Sequence, residues 1–119
     1  MAENDLIKAI AVYNGHTIRK NFDVELKLRF IDEQLPNALQ FVACIGKQVK
    51  LNAKVLQDKF HIGVFNVNRI TIDKNGNAFV SFMSNNDYVN LESIEKLMVE
   101  DDIRLVGKIT EIKTDEDEE

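Results

Sequence analysis

The chain has 119 residues, 45% hydrophobic and 29% charged, with one Cys and a formal net charge of −5. That is one domain's worth of sequence, long enough to bury a core without staples. A lone cysteine excludes an intrachain disulfide framework. No signal peptide, apolar twenty-mer or lipidation motif occurs, so a cytoplasmic setting with no membrane is expected.

In chain order, residues 1–5 read as a frayed start, and Leu6 to Tyr13 as a strand ended by Asn14-Gly15. His16 to Asn21 is a basic connection carrying Arg19 and Lys20. Phe22, Val24, Leu26, Leu28 and Phe30 then alternate with Asp23, Glu25, Lys27 and Arg29, the pattern of a half-buried strand. Asp32 to Asn37, with the only proline, reads as a loop. Leu39 to Leu51 reads as a long strand bent at Gly46, with Leu39, Phe41, Ala43 and Ile45 on one face. Cys44 lies inside this run and reads as a small buried hydrophobe. Asn52 to Lys59 is either a short helix capped by Asn52 or more strand presenting Lys50 and Lys54 outward.

Phe60 to Met83 is two strand-like runs joined by Ile72-Asp73-Lys74-Asn75-Gly76-Asn77. Asp, a polar pair and Gly is the chemistry of a type I turn closed by a left-handed Gly, which sets Asp73 opposite Asn77. Ile70, Ile72, Ala78, Val80 and Phe82 then share one face. Val67, Arg69, Thr71, Phe79, Ser81 and Met83 share the other. That second face mixes an aromatic and a thioether with a guanidinium and hydroxyls. It is either half-covered by another chain or a surface for stacking flat ligands such as bases. After a loop at Ser84–Asp87, Asn90 can cap a helix to about Val99, with Leu91, Ile94, Leu97 and Met98 as its apolar stripe. Ile103 to Ile112 is a last strand with a bend at Gly107.

Long, Gly-bent strands in a chain of this size close into a small barrel or a two-sheet sandwich. The expected architecture is mainly β: a small, partly open five-stranded barrel of the OB type with one or two short helices. It would span residues 1–113, followed by a disordered acidic tail at 114–119.

Charge is segregated. Five of the twenty acidic residues are Asp115, Glu116, Asp117, Glu118 and Glu119, which leaves residues 1–114 with fifteen acidic and fifteen basic side chains. Lys47, Lys50, Lys54, Lys59, Arg69 and Lys74 face only Asp58 and Asp73 within residues 47–74. Residues 87–102 are the acidic counterpart, with Asp87, Glu92, Glu95, Glu100, Asp101 and Asp102 against Lys96. A basic middle with an acidic tail suits a protein that meets a polyanion while its tail competes for the same surface. A merely solubilising tail fits the charge equally well.

Single-strand binding needs cations for phosphates and flat faces for bases. Lys47, Lys50, Lys54 and Lys59 are candidates to line a groove, or else a solvated face. Phe79, with Arg69 and Thr71 beside it, is the first candidate for stacking; burial under a second sheet or a partner subunit is the open alternative. Tyr13, Phe60 and Phe65 are further aromatics near basic residues, each reading as core before it reads as a stacking face. Arg19 and Lys20 sit where a loop could clamp a strand. Catalysis has little to work with. His16 and His61 lie far apart, and no HExxH, CxxC, P-loop, GxGxxG or GxSxG occurs, so no enzyme, metal or cofactor is expected.

Ser93-Ile94-Glu95-Lys96-Leu97 leads into Glu100-Asp101-Asp102-Ile103-Arg104-Leu105-Val106-Gly107-Lys108-Ile109. This passage resembles the helix-to-strand segment of OB-fold single-stranded DNA-binding proteins, where alternating apolar and basic residues precede Gly, a basic residue and an aliphatic one. With the acidic C-terminus and overall size, the chain looks like the small single-stranded DNA-binding proteins of phages that infect lactic-acid bacteria. The resemblance implies a homodimer or larger homo-oligomer, sequence-tolerant binding of single-stranded DNA in the host cytoplasm, and contacts with replication or recombination proteins through Asp115–Glu119. The chain departs from the wider class in ending on Glu119 rather than an apolar tip, and in having no tryptophan. The competing expectation is a small acidic interaction module, such as a phage inhibitor or assembly component, docking through residues 87–102 and the tail.

Overall fold

The computed structural model describes residues 6–99 and 102–110. The acidic tail Asp115–Glu119, residues 1–5, Glu100 and Asp101 lie outside the described residues. The fold is mainly β. Its strands are β1 (Leu6–Ile18), β2 (Asp23–Phe30), β3 (Gln48–Val55), β4 (Asp58–Ile72), β5 (Ala78–Asn85) and β6 (Ile103–Thr110). Two short helices, α1 (Leu35–Ala38) and α2 (Leu91–Leu97), accompany them. The strands close into a barrel in the order β1-β2-β5-β4-β3-β6, with every neighbouring pair antiparallel.

Closure therefore takes six strands where five are expected. The ring is completed by β6, the expected last strand, which inserts between β1 and β3 and pairs with both. Each of the six has a neighbour on both sides, although β1 from Val12 on pairs only with β2. Among the described residues no helix is long and apolar enough to cross a membrane.

The alternation in β2 does what its pattern dictates: Val24, Leu26, Leu28 and Phe30 are fully buried. Phe22 departs from it, standing just before the strand at a φ of 69° and 66% exposed. The turn comes there and not at Asn14-Gly15. The amide of Arg19 donates to the Asp23 carbonyl at 2.8 Å, and that of Phe22 to the Arg19 carbonyl at 2.8 Å. Asn14 and Gly15 instead form a bulge inside β1, with Gly15 at a φ of 114° absorbing the extra residue. The expected end of the first strand is thus its kink.

Residues 31–45 differ most from the sequence reading. In place of a loop and a strand from Leu39, the chain makes a 3₁₀ turn, α1 and a longer 3₁₀ segment, Leu39–Cys44. Ala38, Phe41 and Cys44 are buried, a spacing of three that matches a 3₁₀ turn. Of the four residues placed on one strand face, only Phe41 is buried; Leu39, Ala43 and Ile45 are exposed. A run apolar at nearly every position carries no alternation to distinguish the two. Cys44 is buried, which pushes its thiol pKa up, as suits a structural hydrophobe.

Asn52 to Lys59 resolves as the strand alternative. The two-residue link Leu56-Gln57 joins β3 to β4, with Val55 opposite Asp58 and Leu56 at a φ of 58°.

The β4–β5 hairpin closes as its turn chemistry dictates. The Asp73 amide donates to the Asn77 carbonyl at 2.9 Å, and Gly76 takes a φ of 89°. Asp73 Oδ1 accepts from the amides of Asn75 and Asn77, each at 2.9 Å. Slight desolvation pulls that carboxyl's pKa up, but these amides outweigh it and hold it below the usual range. Ile72 opposes Ala78 and Thr71 opposes Phe79, as expected. A bulge at Asn68 then turns Val67 inward opposite Phe82, off the mixed face assigned to it.

The barrel interior is centred on aromatics. Phe82 meets Phe41 edge-on at 5.3 Å between centroids and Phe65 at 6.0 Å, while Phe30 packs on Phe41 at 6.0 Å. Below them α2 is capped as expected, with the Asn90 side chain accepting from the amides of Glu92 and Ser93. Ile94 and Leu97 are buried and Met98 is not. Ser93 is buried too, its hydroxyl donating to the His61 carbonyl at 2.7 Å. Asn90→Ala should cost about 1 kcal/mol of unfolding free energy, read by urea titration, with the β signal in circular dichroism retained.

Candidate nucleic-acid interface

Sheet register places one broad outer surface on β1, β6, β3 and β4. Reading across the strands, one row is Ile10, Arg104, Lys54 and Lys59. The next is Lys8, Val106, Asn52 and His61, and the third is Leu6, Lys108, Lys50 and Val64. These twelve positions hold six cations and no carboxylate, and every one of them is exposed or half-buried. A groove of about 860 Å³ opens on the first two rows, lined by Lys8, Lys54, Lys59 and Arg104 with apolar contributions from Ile10, Phe60 and Val106. The side-chain amides of Gln34, Asn37 and Asn52 complete its wall.

Three pairs of like charge sit directly across strands here: Lys54 with Lys59, Lys54 with Arg104, and Lys50 with Lys108. Such pairs are destabilising in a sheet. Among the described residues the ion pairs join Arg19 to Glu25 and Lys96 to Asp58, so neither relieves this face. His61 adds no charge at neutral pH. Its Nδ1 lies 2.9 Å from Asn52 Oδ1, and burial, then the nearby Lys50, pushes its pKa down.

A second, smaller concavity of about 360 Å³ lies on β2, β5 and β4 and includes Arg19, Glu25, Lys27, Arg69, Thr71 and Phe79. Register puts Phe79 between Arg29 and Thr71, and Ser81 between Lys27 and Arg69. Its one carboxylate is spoken for. Glu25 accepts from the Ser81 hydroxyl at 2.6 Å and from Arg19 Nη2 at 3.2 Å. The Ser81 bond, helped by Arg19 and Lys27, holds its pKa below the usual range against some desolvation.

The sequence candidates therefore fall on two faces. Lys50, Lys54 and Lys59 belong to the broad one, and Arg19, Arg69 and Phe79 to the smaller one. Since β5 lies three strands from β6 in either direction round the ring, these faces are on opposite sides of the barrel. Lys20 is exposed in the β1–β2 turn and Lys47 in the turn before β3. One stacking candidate is corrected. Phe65 is 1% exposed and packed on Phe82, so it offers no face to a base. Tyr13 is half-buried against the core with its hydroxyl on His16 Nδ1, and burial raises its pKa. Phe60 is half-buried under Lys96, whose Nζ is 5.0 Å from the ring centroid.

Lys8, Arg104 and Lys108 were not among the sequence candidates for the broad face, nor Lys27 and Arg29 for the other. Their alternation with buried residues marks them as outward-facing. Which strands lie beside them is decided by pairings between distant segments, such as Lys54 with Arg104, which no local pattern announces. The acidic counterpart is an adjoining hollow, which shares His61 and Val64 with the broad face and adds Asp87, Glu92 and Tyr88. Among the described residues no group of three or more His, Cys, Asp or Glu side chains comes together to hold a metal ion. No protein-family model matches the chain, and no curated protein matches it.

Proposed function

We propose that this is a non-enzymatic, sequence-tolerant single-stranded DNA-binding protein built on an OB-like barrel. The observation that carries the reading is the broad face, where six cations stand without a carboxylate and three of their cross-strand neighbours are like-charged. Evenly repelling charge of this kind is relieved by a polyanion, whose phosphates each displace a counterion on binding. Apolar side chains between the cations (Leu6, Ile10, Val64 and Val106) favour unstacked bases over a duplex, which hides its bases inside. The likeness of residues 93–109 to single-stranded DNA-binding proteins suggests the setting: phage DNA replication or recombination in the host cytoplasm, with self-association and no cofactor.

The acidic tail belongs to the same reading. In sequence it follows β6, one of the two middle strands of the cationic face, with four residues between Thr110 and Asp115. Deleting residues 114–119 should tighten binding at low salt by about threefold or more, with the gain fading as salt screens the tail. Equal affinity with and without the tail would remove it from the binding cycle and leave it free for partner proteins only.

The test is fluorescence anisotropy of labelled oligo-dT titrated with protein at several salt concentrations and against duplex competitor. If each of the six cations meets a phosphate, log affinity falls against log salt with a slope of about −4. Absence of binding at low salt, even without the tail, would contradict the reading and move attention to the hollow around Asp87, Glu92 and Tyr88 as a docking surface for a basic protein.

A further inference from the structure

We propose that the barrel holds two separate single strands at once, one on each of its opposite faces, and so bridges them for annealing. The proposal rests on the binding reading above for the nature of the ligand. Its own evidence is the smaller face. There Lys27, Arg29 and Arg69 surround the half-buried Phe79, and the single carboxylate, Glu25, is already satisfied by Arg19 and Ser81. Cations flanking an aromatic ring are the two elements a single strand requires, phosphate contact and a stacking face.

Geometry separates this face from the first. The fold extends 31 × 29 Å across its shorter axes, so strands centred on Phe79 and on Lys54 lie beyond the ~10 Å screening length at 0.1 M salt and repel each other little. On the β4 side one strand wrapping both faces would pass Val64 and Asn66 with the carboxylates of Asp87 and Glu92 beside it, so phosphates crossing there meet repulsion. On the β1 side the faces come closer, with Arg104 opposite Ile10 and Arg29 opposite Val12, so the strands held separately are those short enough to fill one face each. Two strands, each on its own cations, satisfy both faces. Holding them on one particle raises the concentration each sees of the other.

The experiment mixes donor-labelled and acceptor-labelled short oligo-dT, which cannot pair with each other, and titrates the full chain. Energy transfer should rise as protein is added, then fall when protein is in excess and each molecule carries one strand. Lys27→Glu/Arg69→Glu, both at exposed positions, should abolish the transfer while changing affinity for a single labelled strand by less than about threefold, because the faces are far apart. Phe79→Ala should reduce the transfer in the same sense, as a second check that does not alter charge. Wild-type protein that binds oligo-dT without energy transfer overturns the bridging. Transfer that survives Lys27→Glu/Arg69→Glu also overturns it, since the link would then run through association of protein copies. Failure of the wild type to bind oligo-dT at all defeats the underlying reading, and bridging with it.

Discussion

Lys50→Glu/Lys54→Glu should lose affinity for oligo-dT by about a hundredfold or more at low salt, because the face falls from six positive charges to a net of two. The same change should make the fold more stable, not less. Lys54 lies opposite Lys59 and Arg104, and Lys50 opposite Lys108, so three repulsive cross-strand pairs become attractive ones. At roughly 0.2–1 kcal/mol per pair, a gain on the order of 1 kcal/mol is expected, reduced by solvent screening at these positions. Opposite signs for binding and stability separate a functional surface from a structural one. Anisotropy and thermal unfolding of the same variant give both readings. Unchanged affinity in a folded variant would mean that phosphates are met elsewhere.

The second large effect lies in the core. Phe82 is fully buried, meets Phe41 and Phe65 edge-on, and pairs in register with Leu26 on β2 and Val67 on β4. Phe82→Ala should cost about 3–5 kcal/mol, the transfer term plus the cavity left where three aromatics converge. Domains of this size have roughly 5–15 kcal/mol in total, so the variant should unfold at much lower urea and be partly unfolded on warming. A loss below about 1 kcal/mol would contradict the placement of Phe82 at the barrel's centre. Phe79, three residues earlier and half-buried on the outer side of β5, is the control: its truncation should cost less than that of the fully buried Phe82.

How far the sequence was legible follows from where each signal resides. The Asp73–Asn77 turn and the Asn90 cap were readable because a few adjacent residues decide them through their own hydrogen bonds. The alternation of β2 was readable for the same local reason. The bulge at Asn68, which swings Val67 into the core, was not, since it answers to packing across two neighbouring strands. Residues 39–45 misled because an almost wholly apolar run hides whether its period is two or three. Phe22 misled because it falls in step with an alternation that begins only after the turn.

The binding surface was half legible for a related reason. The basic character of residues 47–74 was visible, but β4 runs from one face to the other. Lys50, Lys54 and Lys59 therefore part company with Arg69 once the barrel closes. Conversely, Lys8, Arg104 and Lys108 come from both ends of the described chain and join the broad face only through the pairings of β6. Closure created the patch; composition only supplied its members.

The most direct test of the central claim is an amide chemical-shift titration of the isotope-labelled protein with short oligo-dT at low salt. The first shifts to move should belong to Lys8, Lys50, Asn52, Lys54, Arg104 and Lys108, on strands distant in sequence but adjacent in the sheet. Shifts confined to residues 87–98, or none at a salt concentration where unpaired cations should bind a polyanion, would contradict it.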